Sequence, residues 1–189
     1  ILMNHSCFLD LQIAYRILYP RAFNIICTSD GFVGMGGLMG WLMRTIGCVP
    51  TQKFVTDLGL IRDMEYCFKE LGSSILMYPE AGYSLDGRAT ILPRKMGGLL
   101  KLLKVPVLSV HVNGAFLRTP LYNELKNRKV PISAEVKCLL TADEIRDKSV
   151  EELDAKLPAA VKKYIAKNGV NFYIINGTGI ALGLGNGKV

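Results

Sequence analysis

Asn4-His5-Ser6-Cys7-Phe8-Leu9-Asp10 follows a short apolar run, Ile1-Leu2-Met3, and leads into apolar-periodic sequence at Leu11, Ile13 and Ala14. The pattern predicts a strand, a sharp turn and a helix, with His5 in the turn. Histidine takes and returns a proton near neutrality. A carboxylate that accepts a hydrogen bond from one ring nitrogen fixes the tautomer and leaves the other nitrogen as a base. Five residues along a regular helix turn through about 500°, so His5 and Asp10 do not share a helical face. They pair only if His5 lies in the turn and Asp10 reaches back from inside the helix. The plainer alternative is a core histidine beside an unrelated aspartate, and these residues alone leave both open.

Outward from this stretch, the chain alternates buried-type strands and helices. Residues 22–28 form an apolar run that predicts a parallel strand. Gly31, Gly34, Gly36, Gly37 and Gly40 follow, with Trp41 and Arg44 just beyond. A glycine-rich loop after a strand suggests a dinucleotide site, but the third glycine of the fingerprint is Met39, and no acidic residue follows at the required distance. The other readings are a Met-rich helix suited to an interface or an acyl-chain groove, and an ordinary core helix. Residues 47–53 predict a short strand ending in a basic turn at Lys53, and residues 63–71 a helix capped by Asp63 with Gly72 past its end.

Residues 74–78 predict a further strand, running into Pro79-Glu80-Ala81-Gly82-Tyr83-Ser84. In open parallel sheets ligands sit beyond the carboxyl ends of strands, where both His5 and Glu80 fall. Asp86-Gly87-Arg88 reads as a turn, residues 99–104 as a helix, and residues 105–112 as a strand containing His111, which is assigned a structural role. Residues 132–140 alternate as a half-exposed edge strand, with Ile132, Ala134, Val136, Cys138 and Leu140 on the apolar side. Ser149 and Glu152 form a capping box for a helix towards Asn168, restarted at Pro158. The glycine-rich tail, residues 169–189, has no assigned role.

The chain has 189 residues, half of them hydrophobic and 21% charged, the composition of a globular α/β domain. A formal net charge of +7 favours an anionic partner, such as phosphate or an acidic membrane surface. Aromatic and basic residues are not interleaved as in a base-stacking platform, so nucleic acid is the weakest candidate. The five cysteines (Cys7, Cys27, Cys48, Cys67 and Cys138) are scattered without a C-x-x-C pair, which reads as reduced thiols with no metal site. No apolar run is long enough to span a bilayer and no signal peptide is visible. Because the chain opens with Ile inside a strand, a preceding segment, one that could hold an anchor, is expected.

Taken together, these residues resemble the PlsC-type glycerolipid acyltransferases. Asn4-His5 followed by Asp10 is similar to their first motif, N-H-x-x-x-x-D. Residues 47–53 resemble the second, with Lys53 in the place of an arginine. Tyr78-Pro79-Glu80-Ala81-Gly82-Tyr83-Ser84 resembles the third, F-P-E-G-T-R-S, with Ala81, Gly82 and Tyr83 departing from it. Val105-Pro106-Val107 resembles the fourth. The resemblance covers residues 4–114, with order and spacing intact, and the acyltransferase domain is expected over residues 1–168.

The resemblance implies an α/β fold, a mostly parallel central sheet flanked by helices. It implies transfer of a fatty acyl group from acyl-CoA or acyl-carrier protein to a lysophospholipid hydroxyl, typically 1-acyl-sn-glycerol-3-phosphate, with no cofactor and no metal. His5 and Asp10 are the expected catalytic residues. Lys53, Glu80, Gly82, Ser84, Arg88, Arg94 and Lys95 are the expected substrate-binding residues, with phosphate contact falling to Lys53 and a nearby cation because the third motif's arginine is Tyr83 here. No side-chain nucleophile is required, and Cys7 is read as a packed thiol. The expected location is the cytoplasmic face of a membrane, peripheral or anchored. The competing readings are a dinucleotide-binding oxidoreductase using residues 31–40 and a non-catalytic lipid-binding relative.

Overall fold

The computed structural model describes residues 1–29, 37–52, 57–80, 82–83, 96–118 and 129–167. They form an α/β chain of two units, one made of Ile1 and residues 12–78, the other of residues 2–11 and 79 onward. Three of the four strand pairings among the described residues are parallel.

The first unit carries a parallel three-stranded sheet with β2 (Phe23–Thr28) between β3 (Cys48–Thr51) and β4 (Ser74–Leu76). Ile25 pairs with Cys48 on one side and Leu76 on the other. Asn24 on β2 holds both neighbours: its Nδ2 donates to the Gly47 carbonyl at 3.0 Å, and its Oδ1 accepts from Ser73 Oγ at 2.5 Å. Gly47 must be glycine on two grounds, a φ of +76° and a position where a Cβ would come within 2.6 Å of Asn24 Nδ2. Cys27 and Cys48 face each other across β2 and β3 with their sulfurs 3.5 Å apart, both as free thiols. Ile1 extends the pairing of β4, donating to the Ile75 carbonyl and accepting from the Met77 amide.

Helix α2 (Gly37–Thr45) and helix α3 (Leu58–Lys69) both pack on β3, α3 also reaching β4. The cap of α3 is Asp57, whose side chain accepts from the Leu60 amide at 3.1 Å. This corrects the expectation of Asp63: an extended aspartate with three free amides ahead of it outcompetes one already inside a turn. Gly72 does follow the helix in the left-handed region, with φ +58°.

The second unit is built on β1 (Leu2–Met3), β5 (Val107–Asn113) and β6 (Ser133–Leu140), in the order β1-β5-β6. β1 lies parallel to β5, and β6 runs antiparallel as the edge strand. The expected alternation along β6 is present and Leu140 is buried as expected, but over residues 134–138 the sides are covered in the opposite sense. Ala134, Val136 and Cys138 are exposed, while Glu135 and Lys137, which pair at 3.0 Å, are half covered. Val136 sits opposite buried Val110, so the apolar side of the sheet is covered at β5 and open at its edge.

Helix α4 (Gly97–Leu103) packs on α7 (Val150–Lys167), where a Cβ on Gly97 would meet the Val150 carbonyl at 2.5 Å. The Gly97 amide donates to Asp154 at 2.6 Å. α7 is capped by the expected Ser149–Glu152 box but runs through position 158 without restarting, held by Leu153 and Leu157 in the core. Two short helices went unexpected, α5 (Ala115–Arg118) and α6 (Ala142–Asp147), although the capping box of α6, Thr141 with Glu144, is legible as T-x-x-E. The expected turn at Asp86–Arg88, the loop over residues 31–36 and the tail from 169 lie outside the described residues.

Candidate active site

The strand, turn and helix at the start of the chain meet around one buried carboxylate. Asp10 is the first residue of α1 (Asp10–Leu18), and only 1% of its surface is exposed. Its Oδ2 lies 2.9 Å from His5 Nδ1 and accepts the backbone amides of Ser6 at 2.5 Å and Cys7 at 3.0 Å. Its Oδ1 accepts the Ser6 hydroxyl at 2.9 Å. The turn closes on itself through the Asp10 amide, which donates to the Cys7 carbonyl at 3.1 Å. Asp10 therefore sits where a helix leaves its first amides unsatisfied, a place that favours negative charge.

Burial alone would push the Asp10 carboxyl up. The hydrogen bonds from His5, Cys7 and Ser6 outweigh it and hold the group below the ordinary carboxylate value. An ionised Asp10 accepts only, so Nδ1 of His5 is the nitrogen that carries the hydrogen of this bond. The pairing anticipated from the five-residue spacing is thus formed, with His5 in the turn.

The turn is anchored by Asn4. Its side-chain Nδ2 donates to the Val112 carbonyl at 3.0 Å, and its Oδ1 accepts from the Val112 amide at 2.8 Å. A side-chain amide presents the same donor and acceptor as a peptide group, so Asn4 continues the pairing with β5 after the backbone of β1 has turned away. The sequence reading counted Asn4 in the motif and gave it no task.

Glu80 and Tyr83 come to the same turn from the segment after Tyr78. Glu80 Oε2 is 3.5 Å from the His5 amide nitrogen, at the outer limit of a hydrogen bond. The Tyr83 ring stacks on the imidazole of His5, centroids 3.8 Å apart and tilted by 31°, and the edge of Phe8 meets Tyr83 at 5.3 Å. Sequence reasoning marked Tyr83 only as the loss of an arginine and did not mark Phe8 or Ser6. Gly82 lies in an exposed bend where a Cβ would meet nothing within 4 Å, so crowding does not require a glycine there. Cys7 is buried in the turn. Lys53, Ser84, Arg88, Arg94 and Lys95 lie outside the described residues.

His111, the other histidine, lies on β5, where its Nε2 is 3.0 Å from Asn113 Oδ1. Among the described residues no cluster of three or more His, Cys, Asp or Glu side chains is placed to hold a metal ion. No helix among them is long and apolar enough to cross a membrane.

Fold and site together define an α/β protein that carries a carboxylate-oriented histidine at a strand-to-helix turn. Residues 1–113 match the family model described as Acyltransferase, and the chain belongs to that family. Its fold is similar to the crystal structure of the 1-acyl-sn-glycerophosphate (LPA) acyltransferase PlsC from Thermotoga maritima, with a TM-score of 0.58 and 19% identity over 88% of this chain. The chain spans 64% of that protein's length. A stretch of 38 residues, 20% of this chain, is 60% identical to part of the pyruvate-flavodoxin oxidoreductase of Enterobacter agglomerans, of which it covers 3%. So small a share of that protein brings no activity to this chain.

Proposed function

We propose that the protein transfers a fatty acyl group from a thioester, acyl-CoA or acyl-carrier protein, to the free hydroxyl of a lysoglycerolipid. The acceptor assigned is 1-acyl-sn-glycerol-3-phosphate and the product phosphatidic acid, which places the reaction in phospholipid biosynthesis. The observation that carries the reading is the buried, ionised Asp10 carboxylate held 2.9 Å from His5 Nδ1. A neutral hydroxyl is a poor nucleophile until its proton is removed, and His5 Nε2 is the base for that step. The hydroxyl oxygen attacks the thioester carbonyl as its proton passes to Nε2. The tetrahedral intermediate then collapses, the C–S bond breaks, and the thiolate leaves with the proton that His5 had gained. Asp10 stabilises the imidazolium between these steps without itself becoming protonated.

The developing oxyanion falls to backbone N–H groups of the turn after Tyr78, and the acceptor's phosphate to Lys53 with one of Arg88, Arg94 or Lys95. A doubly acidic site holding Asp10 and Glu80 repels a lysophosphatidate unless cations answer it. The reaction needs only its two substrates, at the cytoplasmic face of a membrane. Mass spectrometry of products tests the reading, after the protein is given both donor types with several lysolipids. The expected product gains one acyl chain on lysophosphatidate; no acylated lipid from any pair would overturn the proposal.

A further inference from the structure

Helix α2 is packed the wrong way round for a helix that serves only the core. Its one fully buried residue is Gly40. Leu38 is 78% exposed, Met39 52%, Trp41 60% and Leu42 42%. At about 100° per residue, Leu38, Trp41 and Leu42 share one face, and Gly40 lies opposite them. Burying the glycine side and leaving three or four large apolar side chains in water forgoes the hydrophobic gain that an amphipathic helix normally takes from its core. Such a patch marks an interaction surface.

The charges around it favour one kind of partner. Described residues 12–29 and 37–52 of this unit contain Arg16, Arg21 and Arg44, all exposed, and no aspartate or glutamate. The acidic residues of the unit's described part lie instead on or beside α3: Asp57, Asp63, Glu65 and Glu70. The Tyr15 hydroxyl donates to the Ile46 carbonyl at 3.2 Å, which brings Tyr15 next to the end of α2, with Arg16 its neighbour in the chain. Tyr15 and Tyr19 are themselves exposed. Trp and Tyr beside arginine, flanking aliphatic side chains and free of acid, are the composition that settles at the headgroup level of an anionic bilayer.

We infer that α2 is a membrane-docking helix, inserting Leu38, Trp41 and Leu42 among the headgroups of an anionic phospholipid surface while Arg44, Arg16 and Arg21 meet lipid phosphates. The acyl-transfer reading supplies the reason for a bilayer partner; the docking geometry stands on α2. Trp41 is the sole tryptophan, so its fluorescence reports on this helix alone. The full chain is titrated with phosphatidylcholine vesicles containing phosphatidylglycerol, with matched vesicles whose acyl chains are brominated. The expected result is a blue shift of Trp41, with quenching strongest from bromines near the headgroup, since such helices sit only about 5–10 Å deep. Leu38→Glu should raise the half-saturating lipid concentration at least tenfold, and Arg44→Gln about fivefold, from roughly 1 kcal/mol per cation at an anionic surface. Circular dichroism verifies that both variants are folded.

Vesicle sedimentation without any change at Trp41 would overturn the inference, because another surface then does the binding. A blue shift that follows protein concentration without lipid would overturn it in favour of a second copy of the chain. No vesicle binding, or equal binding by all variants, would do the same. The readout needs no turnover. A protein that docks through α2 and transfers nothing keeps the inference and sinks the activity, while one that acylates lipid with Trp41 in water sinks the inference alone.

Discussion

The two histidines share a side chain and differ in their partners. His5 presents Nδ1 to a carboxylate that is buried, ionised and held by a serine hydroxyl and two backbone amides. His111 presents Nε2 to the side-chain oxygen of Asn113, two residues along the same strand. Burial lowers the His111 pKa more than Asn113 and Glu135 raise it, so this ring stays neutral around pH 7. A neutral amide orients an imidazole but does little to stabilise its charged form. A carboxylate does both, and it does so here only because the turn around it satisfies its remaining lone pairs. What separates the proposed base from the other histidine is therefore the wiring of Asp10, made by residues 4–7.

Replacing each histidine tests that contrast at its widest. His5→Ala should lower turnover by about two to four orders of magnitude, the range for loss of a positioned base, and His111→Ala should leave it near the parent value. Release of free thiol from an acyl-CoA donor follows both, and similar losses in the two variants would break the comparison.

Asp10→Asn should come within about tenfold of the loss in His5→Ala, with the acceptor Michaelis constant nearly unchanged, since the asparagine favours the wrong tautomer. It should also cost stability, about 1–3 kcal/mol at neutral pH, because an amide cannot accept at both atoms and leaves buried donors of Ser6 and Cys7 unmet. The folded Asp10 carboxyl lies below its ordinary value, so its contribution is full above about pH 4 and lost as pH falls through the folded value. Urea unfolding should show the gap between parent and Asp10→Asn narrowing below that pH. A constant gap would show that the charge is not what the turn stabilises.

Lys53→Ala should raise the acceptor's Michaelis constant about ten- to a hundredfold and leave the donor's alone, the effect of losing one charge-assisted hydrogen bond. Lys53→Arg should be tolerated, and added salt should weaken acceptor binding more in the parent than in Lys53→Ala. An unchanged acceptor constant would remove the phosphate from Lys53. Tyr83 gives the smallest effect. Tyr83→Phe keeps the ring on His5 and should be close to silent, whereas Tyr83→Ala should cost about two- to tenfold in turnover, the worth of one aromatic contact. Loss in the phenylalanine variant would mean that the hydroxyl, and not the stacking, matters to His5.

Much of this was legible in the sequence because it is local. An apolar run followed by a polar turn, and a carboxylate five residues after a histidine, fix a strand, a turn and a pairing within a span of ten residues. The parallel strands over residues 23–28, 48–51 and 107–113 were legible for the same reason, as short apolar runs bounded by turn residues. What escaped depended on distant partners. Asn4 works by bonding Val112, 108 residues away, and Tyr83 by lying on a ring 78 positions earlier in the chain. Which side of β6 is covered depends on how far the packing over β5 extends. α2 stayed open for another reason: its sequence admits a core helix and an interface helix equally, and which side is buried is set by its packing on β3.

The most direct measurement of the central claim is a double-mutant cycle on turnover, comparing His5→Ala, Asp10→Asn and the combined variant with the parent. If Asp10 acts through His5, removing it from a protein that already lacks the imidazole should change little, and the double variant should turn over about as slowly as His5→Ala alone. If the two losses instead multiply, each residue contributes independently and the carboxylate–imidazole pair is not the base.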